Sequence, residues 1–141
     1  MGKNAKYGVD KAKENPHYPS YRPKIDPNVL KPVITVDDET VPGAEMYADT
    51  NWILPGGEAE IKLCESHIHE FGEVLSFYGF NYENIQDLGA EIEIVIDNET
   101  NVLDRSFAAY VPPGVQHGPI IVKNVQRPIF WVSTGLAPRY E

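Results

Sequence analysis

The chain has 141 residues and one cysteine, with 42% apolar and 23% charged side chains and a formal net charge of −9 at pH 7. That length and composition suit one domain with a sizeable core, and a single cysteine excludes an internal disulfide. No apolar run approaches the ~18 residues of a membrane helix, and so acidic a chain is a poor surface for nucleic acid or anionic lipid.

The charge is unevenly spread. Residues 1–24 carry six basic and two acidic side chains, a net of +4, and residues 25–141 carry six basic and nineteen acidic ones, a net of −13. The first six residues lack the apolar stretch of a signal peptide, which with the lone cysteine makes a reducing cytoplasm the expected location. Residues 1–32 contain Pro16, Pro19, Pro23, Pro27 and Pro32, with Tyr7, Tyr18 and Tyr21 among polar side chains. Prolines at that spacing exclude a regular helix or a central strand. The tyrosines favour an extended arm laid on a surface, its own or a neighbouring subunit's. Residues 33–141 then form the single domain.

Within it, a short strand is predicted at 33–36, stopped by Asp37-Asp38-Glu39, and another at 46–54 before a Pro55-Gly56-Gly57 turn. Residues 59–69 alternate: Leu63, Glu65, His67 and His69 fall on one face, Glu60, Lys62, Cys64 and Ser66 on the other. A regular strand brings Glu65 beside the histidines and leaves Cys64 as a small packed thiol, whereas a bulge reverses both. Further strands are expected at 73–78, 90–96, 102–107, 107–111, 118–123 and 128–133. Residues 80–88 read as a helical turn or a loop, and 97–101 as a hairpin tip. Short strands with Gly, Pro and Asn turns and no long amphipathic helix argue for an all-β sandwich or barrel.

The densest chemistry lies in His67-Ile68-His69-Glu70-Phe71-Gly72-Glu73. Histidines at i and i+2 of a strand share a face, and the break at Gly72 lets the next strand swing Glu73 back over them. Two neutral imidazoles and a carboxylate suit Zn, Fe, Mn, Ni or Cu; two polar residues on a solvated face and a surface glutamate are the plain alternative. The stretch Pro112-Pro113-Gly114-Val115-Gln116-His117 turns from one strand into the next. Of the four histidines, only His17 lies outside these two stretches. His117 therefore completes a set of three imidazoles and one carboxylate.

These stretches resemble the two motifs of the cupin superfamily. The first has the shape H-x-H, three or four residues, E, about six residues, G, matched by His67, His69, Glu73 and Gly79. The second has the shape P-x-G-x-x-H, matched by Pro112, Gly114 and His117. The likeness covers about residues 50–134. Ile61, Ser106 and Ile121 stand where the family usually has glycine, glycine and asparagine, and five residues separate Glu73 from Gly79. None of these departures removes a ligand. The resemblance implies a double-stranded β-helix of the jelly-roll type, with a metal inside one mouth of the barrel. It also implies a range of chemistry: oxidative ring or carbon–carbon cleavage, isomerisation, decarboxylation and lyase reactions.

The expected cofactor is one divalent transition metal ion (Fe, Mn, Zn, Ni or Cu), held by His67, His69, Glu73 and His117 in an open site rather than a closed structural one. The expected function is a metal-dependent enzyme acting on a small oxygen-bearing organic molecule, leaning to an Fe(II) or Mn(II) dioxygenase. The alternatives are a non-catalytic sensor or carrier of a small ligand, and an isomerase or lyase. Glu65 is the candidate general base. Phe77, Tyr78, Tyr110 and Trp131 are pocket walls or ordinary core. Arg105 receives a substrate carboxylate or makes a surface ion pair. Nucleic acid and membrane are not expected partners; a homodimer is, because sheet edges and an arm invite pairing about a two-fold axis.

Overall fold

The computed structural model describes residues 5–8 and 19–140. Two antiparallel sheets enclose one core. The larger runs β1 (Leu30–Val36), β2 (Tyr47–Ile53), β9 (Ile129–Gly135), β4 (Glu73–Tyr78), β7 (Phe107–Val111). The smaller runs β3 (Glu60–Cys64), β8 (His117–Lys123), β5 (Asp87–Ile96), β6 (Glu99–Arg105). This is the all-β jelly-roll barrel that the resemblance implied. No helix among the described residues is long and apolar enough to cross a membrane.

Alternation on β2 and β9, and on β4 apart from the buried Ser76, builds the interior in layers, because cross-strand partners project to the same face. Ile53 pairs with Ile129 at the apolar floor. Above them lie Asn51, Trp131 and Phe77, then Asp49, Ser133 and Leu75, and at the mouth Tyr47, Gly135 and Glu73. The interior thus changes from aliphatic to polar along one axis. The other sheet closes it with Leu63, Ile92, Ile94, Ile120 and Val122, each at most 1% exposed. Burying such a side chain contributes about 1.5–3 kcal/mol.

Local chemistry explains most of the turns. Asp97 and Asn98 have φ of 49° and 65°, the left-handed pair of a two-residue hairpin, which Asp and Asn tolerate better than most residues. Gly79 is required by a close approach: a Cβ there would lie 2.2 Å from the carbonyl oxygen of Asp87. The strand predicted over 102–107 divides at Ser106, where the chain crosses from one sheet to the other. The Ser106 hydroxyl accepts from the Gly79 N–H at 2.9 Å and donates to the Ile85 carbonyl at 3.3 Å, fixing the crossing.

Two boundaries differ from expectation. β1 starts at Leu30, inside the stretch read as the arm; Val29 and Leu30 are 3% and 8% exposed and belong to the core. Pro32 is accommodated because β1 is an outer strand and its register with β2 shifts between Pro32 and Thr35. The strand predicted over 59–69 ends at Cys64. Continuing the antiparallel register sets Glu65 opposite Pro119, which has no N–H to give. The next pair brings Gly118 so close that a Cβ would lie 2.6 Å from the Glu65 carbonyl oxygen. Pro16, His17 and Tyr18 lie outside the described residues.

Candidate metal centre

His67 and His69 follow β3 on an irregular segment, and His117 opens β8. The backbone joins the two stretches. His67 N–H donates to the His117 carbonyl (2.9 Å), His117 N–H to that of His67 (3.0 Å), and Gly114 N–H to that of His69 (2.9 Å). Ring nitrogens of the three histidines lie within 4.8 Å of one another. Each ring is oriented alike: Nδ1 of His67 lies 2.8 Å from the Glu65 carbonyl oxygen, that of His69 3.0 Å from Phe71's, that of His117 3.0 Å from Val115's. A carbonyl only accepts, so each Nδ1 carries the proton and each Nε2 keeps a lone pair. All three Nε2 atoms are buried without a hydrogen-bond partner. An unmet buried acceptor costs about 1–3 kcal/mol. Three of them gathered in one place, with tautomers fixed by carbonyls, are a donor set suited to a divalent ion.

Glu73 opens β4 between β7 and β9, 1% exposed. Its Oε1 lies 3.5 Å from Nε2 of His69 and 3.7 Å from Nε2 of His117. Ligands each ~2.1 Å from a shared ion at angles near 90–110° stand about 3–3.4 Å apart, so the carboxylate fits the same ion with a small inward shift. Its Oε2 accepts a short hydrogen bond from the Tyr47 hydroxyl. Burial alone would raise the Glu73 carboxyl, but the neighbouring imidazoles of His117 and His69 and the Tyr47 hydroxyl outweigh it and bring it down to about 2. Burial and the Glu73 charge push the Tyr47 hydroxyl well up, so it remains a donor. Tyr47→Phe removes that donor and lowers divalent-metal affinity about 10–100-fold, measurable by competition with a chromogenic chelator.

Acid destabilises the metal-free protein through this cluster. Burial lowers His67 from 6.5 to about 4, and Glu73 falls from 4.5 to about 2. Both are depressed, so the unfolded chain takes up protons first, and stability drops as pH falls from 6.5 through 4 and on toward 2. His69 opposes this. Burial pulls it down, but the hydrogen bond and charge of Glu73 leave it raised, a contribution present below 6.5 and lost as pH rises through the raised value. With two groups against one, the urea midpoint of metal-free protein is expected to fall steadily between pH 7 and pH 3. A flat or rising midpoint would contradict this.

No family model and no curated protein sequence matches the chain. Solved structures do. Oxalate oxidase in complex with the substrate analogue glycolate aligns at a TM-score of 0.53 with 16% identity, over 82% of this chain and 55% of its own. Peruvianin-I, a cysteine peptidase from Thevetia peruviana latex, aligns at 0.54 with 14% identity, over 95% of this chain and 72% of its own. An RmlC-like cupin from Shewanella frigidimarina aligns at 0.45 with 22% identity, over 69% of each chain. The chain has the cupin fold. It spans about half the length of the oxalate oxidase, 55%.

Aromatic rings close over the imidazoles. Tyr21, from the Pro-rich arm, stacks on His67 at 3.7 Å between centroids, and its carbonyl accepts the Glu65 N–H at 2.7 Å. Phe71 stacks on His69 at 4.1 Å. Tyr140, near the other end of the chain, stands edge-on to Tyr21 and Tyr47 at 5.9 and 5.5 Å. Sequence reasoning singled out none of Tyr47, Phe71 or Tyr140 as site residues, and read Tyr21 only as part of an arm. The inward parity of Tyr47 on β2 was the one local signal available.

The remaining predicted residues are scattered. Glu65 is not at the centre. The register of β3 on β8 slips between Lys62 and Cys64, so Leu63 and Cys64 both point inward and Glu65 turns out to solvent, 3.1 Å from the Lys62 ammonium. Its backbone carbonyl holds His67, while its carboxylate is paired with Lys62 at the surface. Glu65→Gln is expected to leave metal affinity unchanged and to alter stability by less than ~0.5 kcal/mol in urea titration. Arg105 sits on the outer strand β6, exposed, donating to Gln86 Oε1 at 3.2 Å. It pairs with Asp87 at one end of β5, whereas His117 pairs with Ile96 at the other, so it receives no ligand at this centre. Tyr78 and Tyr110, 46% and 59% exposed, point away from the barrel interior. Phe77 and Trp131 are core side chains two layers below the mouth, stacked at 5.8 Å. Cys64 is packed, its thiol pushed up to about 12 by burial.

Proposed function

We propose that this cupin is a metal-dependent enzyme acting on a small oxygen-bearing organic molecule, with dioxygenase-type chemistry at Fe(II) or Mn(II) as its leading form. One observation carries the reading: three buried Nε2 lone pairs without partners beside a carboxylate that stays ionised at neutral pH. His67, His69, His117 and Glu73 would hold the ion. Such an ion supplies a Lewis acid for a substrate oxygen and, when redox-active, electrons for dioxygen. The chain's own contributions are orientation and exclusion of water. Carbonyls of Glu65, Phe71 and Val115 lock the imidazole tautomers, Tyr47 holds Glu73, and the rings of Tyr21, Phe71 and Tyr140 keep the ligand atoms dry. An oxidase of the same fold is in keeping with redox chemistry. A peptidase reading is disfavoured, because the only thiol is buried and far from ionising.

Untagged protein is reconstituted without oxygen with Fe(II) or Mn(II) and then assayed in air by oxygen uptake on a panel of diols, enolisable ketones and keto acids. Turnover that needs added metal and disappears in His69→Ala supports the proposal. Metal-loaded protein consuming no oxygen with any of them sinks the dioxygenase form, and product formed without oxygen shifts it to an isomerase or lyase. The seal over the three Nε2 atoms favours a second reading, a sensor or carrier that holds a small ligand unchanged; tight binding without product is its signature. Pairing of two chains belongs to the same proposal, with β1 and β7 as the outer strands of the larger sheet. Elution at one chain mass at every concentration would end it.

A further inference from the structure

The outer faces of the two sheets are unlike. On the smaller sheet the outward positions carry charge, with the Lys123 ammonium 3.1 Å from Glu93 and 3.6 Å from Glu60. That is the solvated face expected of an antiparallel sheet packed on one side only. On the larger sheet, β2, β9, β4 and β7 turn no charged side chain outward. Trp52, Phe130 and Tyr78 form one cross-strand row there, and Val74 pairs with Tyr110 in another. Residues 79–86 extend this face. Phe80 packs on Trp52 at 5.1 Å between centroids, and with Tyr82 and Ile85 it lines a hollow of about 650 Å³ shared with Tyr78, Ala108 and Phe130. Charge borders the patch at Lys31, on β1 beside Trp52, and at Glu83. The exposed fractions of Tyr82, Tyr110, Tyr78 and Phe80 are 89%, 59%, 46% and 36%. They leave roughly 350–600 Å² of aromatic surface in water, at about 150–250 Å² per side chain. A monomer's largest apolar patch is about 300–600 Å² in all, and each partner of a stable dimer covers about 800 Å². Ile85, Val74 and the threonines of the same face bring this one to that size.

We propose that the outer face of the larger sheet binds a second copy of this chain about a two-fold axis, Tyr82 of each copy entering the hollow of the other. This rests on the pairing inferred above and gives it an interface: the two chains meet by their sheet faces and not by their edge strands. Charge selects the occupant. Two copies repel, each at −9, and meeting on the face without charge opposes them least. The same face gives a nucleic acid, an anionic lipid or a basic protein nothing to hold. A second copy brings an identical uncharged surface, rich in the aromatic side chains that the centres of interfaces concentrate. A two-fold axis lets a projecting ring and the hollow beside it serve each other. The hollow lies at the Tyr78 end of β4, and Glu73 stands at the other end, roughly 16 Å away at ~3.3 Å per residue. Pairing therefore leaves both metal centres uncovered.

Sedimentation velocity of the full untagged chain, over a wide range of concentration and in low and high salt, reads the association. Wild type is expected to dimerise, and more tightly in high salt, because screening weakens the repulsion of two acidic chains. The double variant Tyr82→Glu/Ile85→Lys changes two exposed side chains outside the strands. It is expected to raise the dissociation constant about 100-fold or more, as loss of a central aromatic anchor does, with metal content unchanged. Val102→Glu, an exposed position on the outer face of the smaller sheet, is expected to leave the dimer as it was. Benzoylphenylalanine placed at position 85, in a mixture of ¹⁴N- and ¹⁵N-labelled chains, identifies what covers the face on illumination. A link between chains to β4, β7 or residues 79–86 supports the proposal, whereas a link to residues 1–24 of the same chain gives the face to the arm and overturns it. A dimer that survives Tyr82→Glu/Ile85→Lys, or falls apart as salt rises, would overturn the face and leave pairing through the edges standing. Wild type at one chain mass at every concentration would overturn both.

Discussion

His117→Ala lowers divalent-metal affinity by more than ~100-fold, beyond the ~10–100-fold that loss of a supporting partner costs, and leaves a folded protein. The side chain is fully buried, and its Nε2 is one of three lone pairs left without a partner. Truncation leaves its backbone bonds with His67 in place and removes only the ring's bond to the Val115 carbonyl. The expected loss of stability is a cavity cost of about 2–5 kcal/mol, which His117→Gln reduces by refilling the space. Chelator competition reads the affinity, and far-ultraviolet circular dichroism shows that the sheets persist. Unchanged affinity in a folded His117→Ala protein would mean that the ion binds elsewhere.

Phe77→Ala costs about 3–5 kcal/mol, a large part of the 5–15 kcal/mol a domain of this kind has in hand. Its ring is fully buried, stacked on Trp131 at 5.8 Å and on Phe107 at 5.2 Å, in the layer between the apolar floor and the polar mouth. Tyr78, one residue on, points to the opposite face at 46% exposure, and Tyr78→Ala should cost less than ~0.5 kcal/mol. Urea midpoints of the two variants separate the roles. A Phe77→Ala protein as stable as wild type would show that the ring lines a pocket and is not part of the core.

The fold and the imidazole cluster were legible because both are written locally. Period-two alternation on β2, β4 and β9, Gly and Pro at the turns, and two short motifs suffice to place strands and ligands. What stayed hidden depends on pairing. The slip at Lys62–Cys64 is set by β8, where Pro119 and Gly118 interrupt the ladder, and it turns Glu65 out of the site. Closeness in sequence also misled: Arg105 lies near the second motif, yet the ten residues of β5 separate it from His117, about 30 Å at ~3.3 Å per residue. Tyr47, Tyr140 and Tyr21 come to the centre only through the folded chain, from three different stretches. Nothing periodic marks a tyrosine in a Pro-rich arm as the cover of a histidine.

Metal content is the most direct measure of whether four side chains from two distant stretches share one ion. Untagged wild type and a His67→Ala/His69→Ala/His117→Ala variant are equilibrated with Mn(II) without oxygen, freed of loose metal by gel filtration, and analysed by elemental mass spectrometry. About one ion per chain in wild type and a trace in the folded variant is the expected result. A wild type that retains none, or a variant that retains as much, would contradict it.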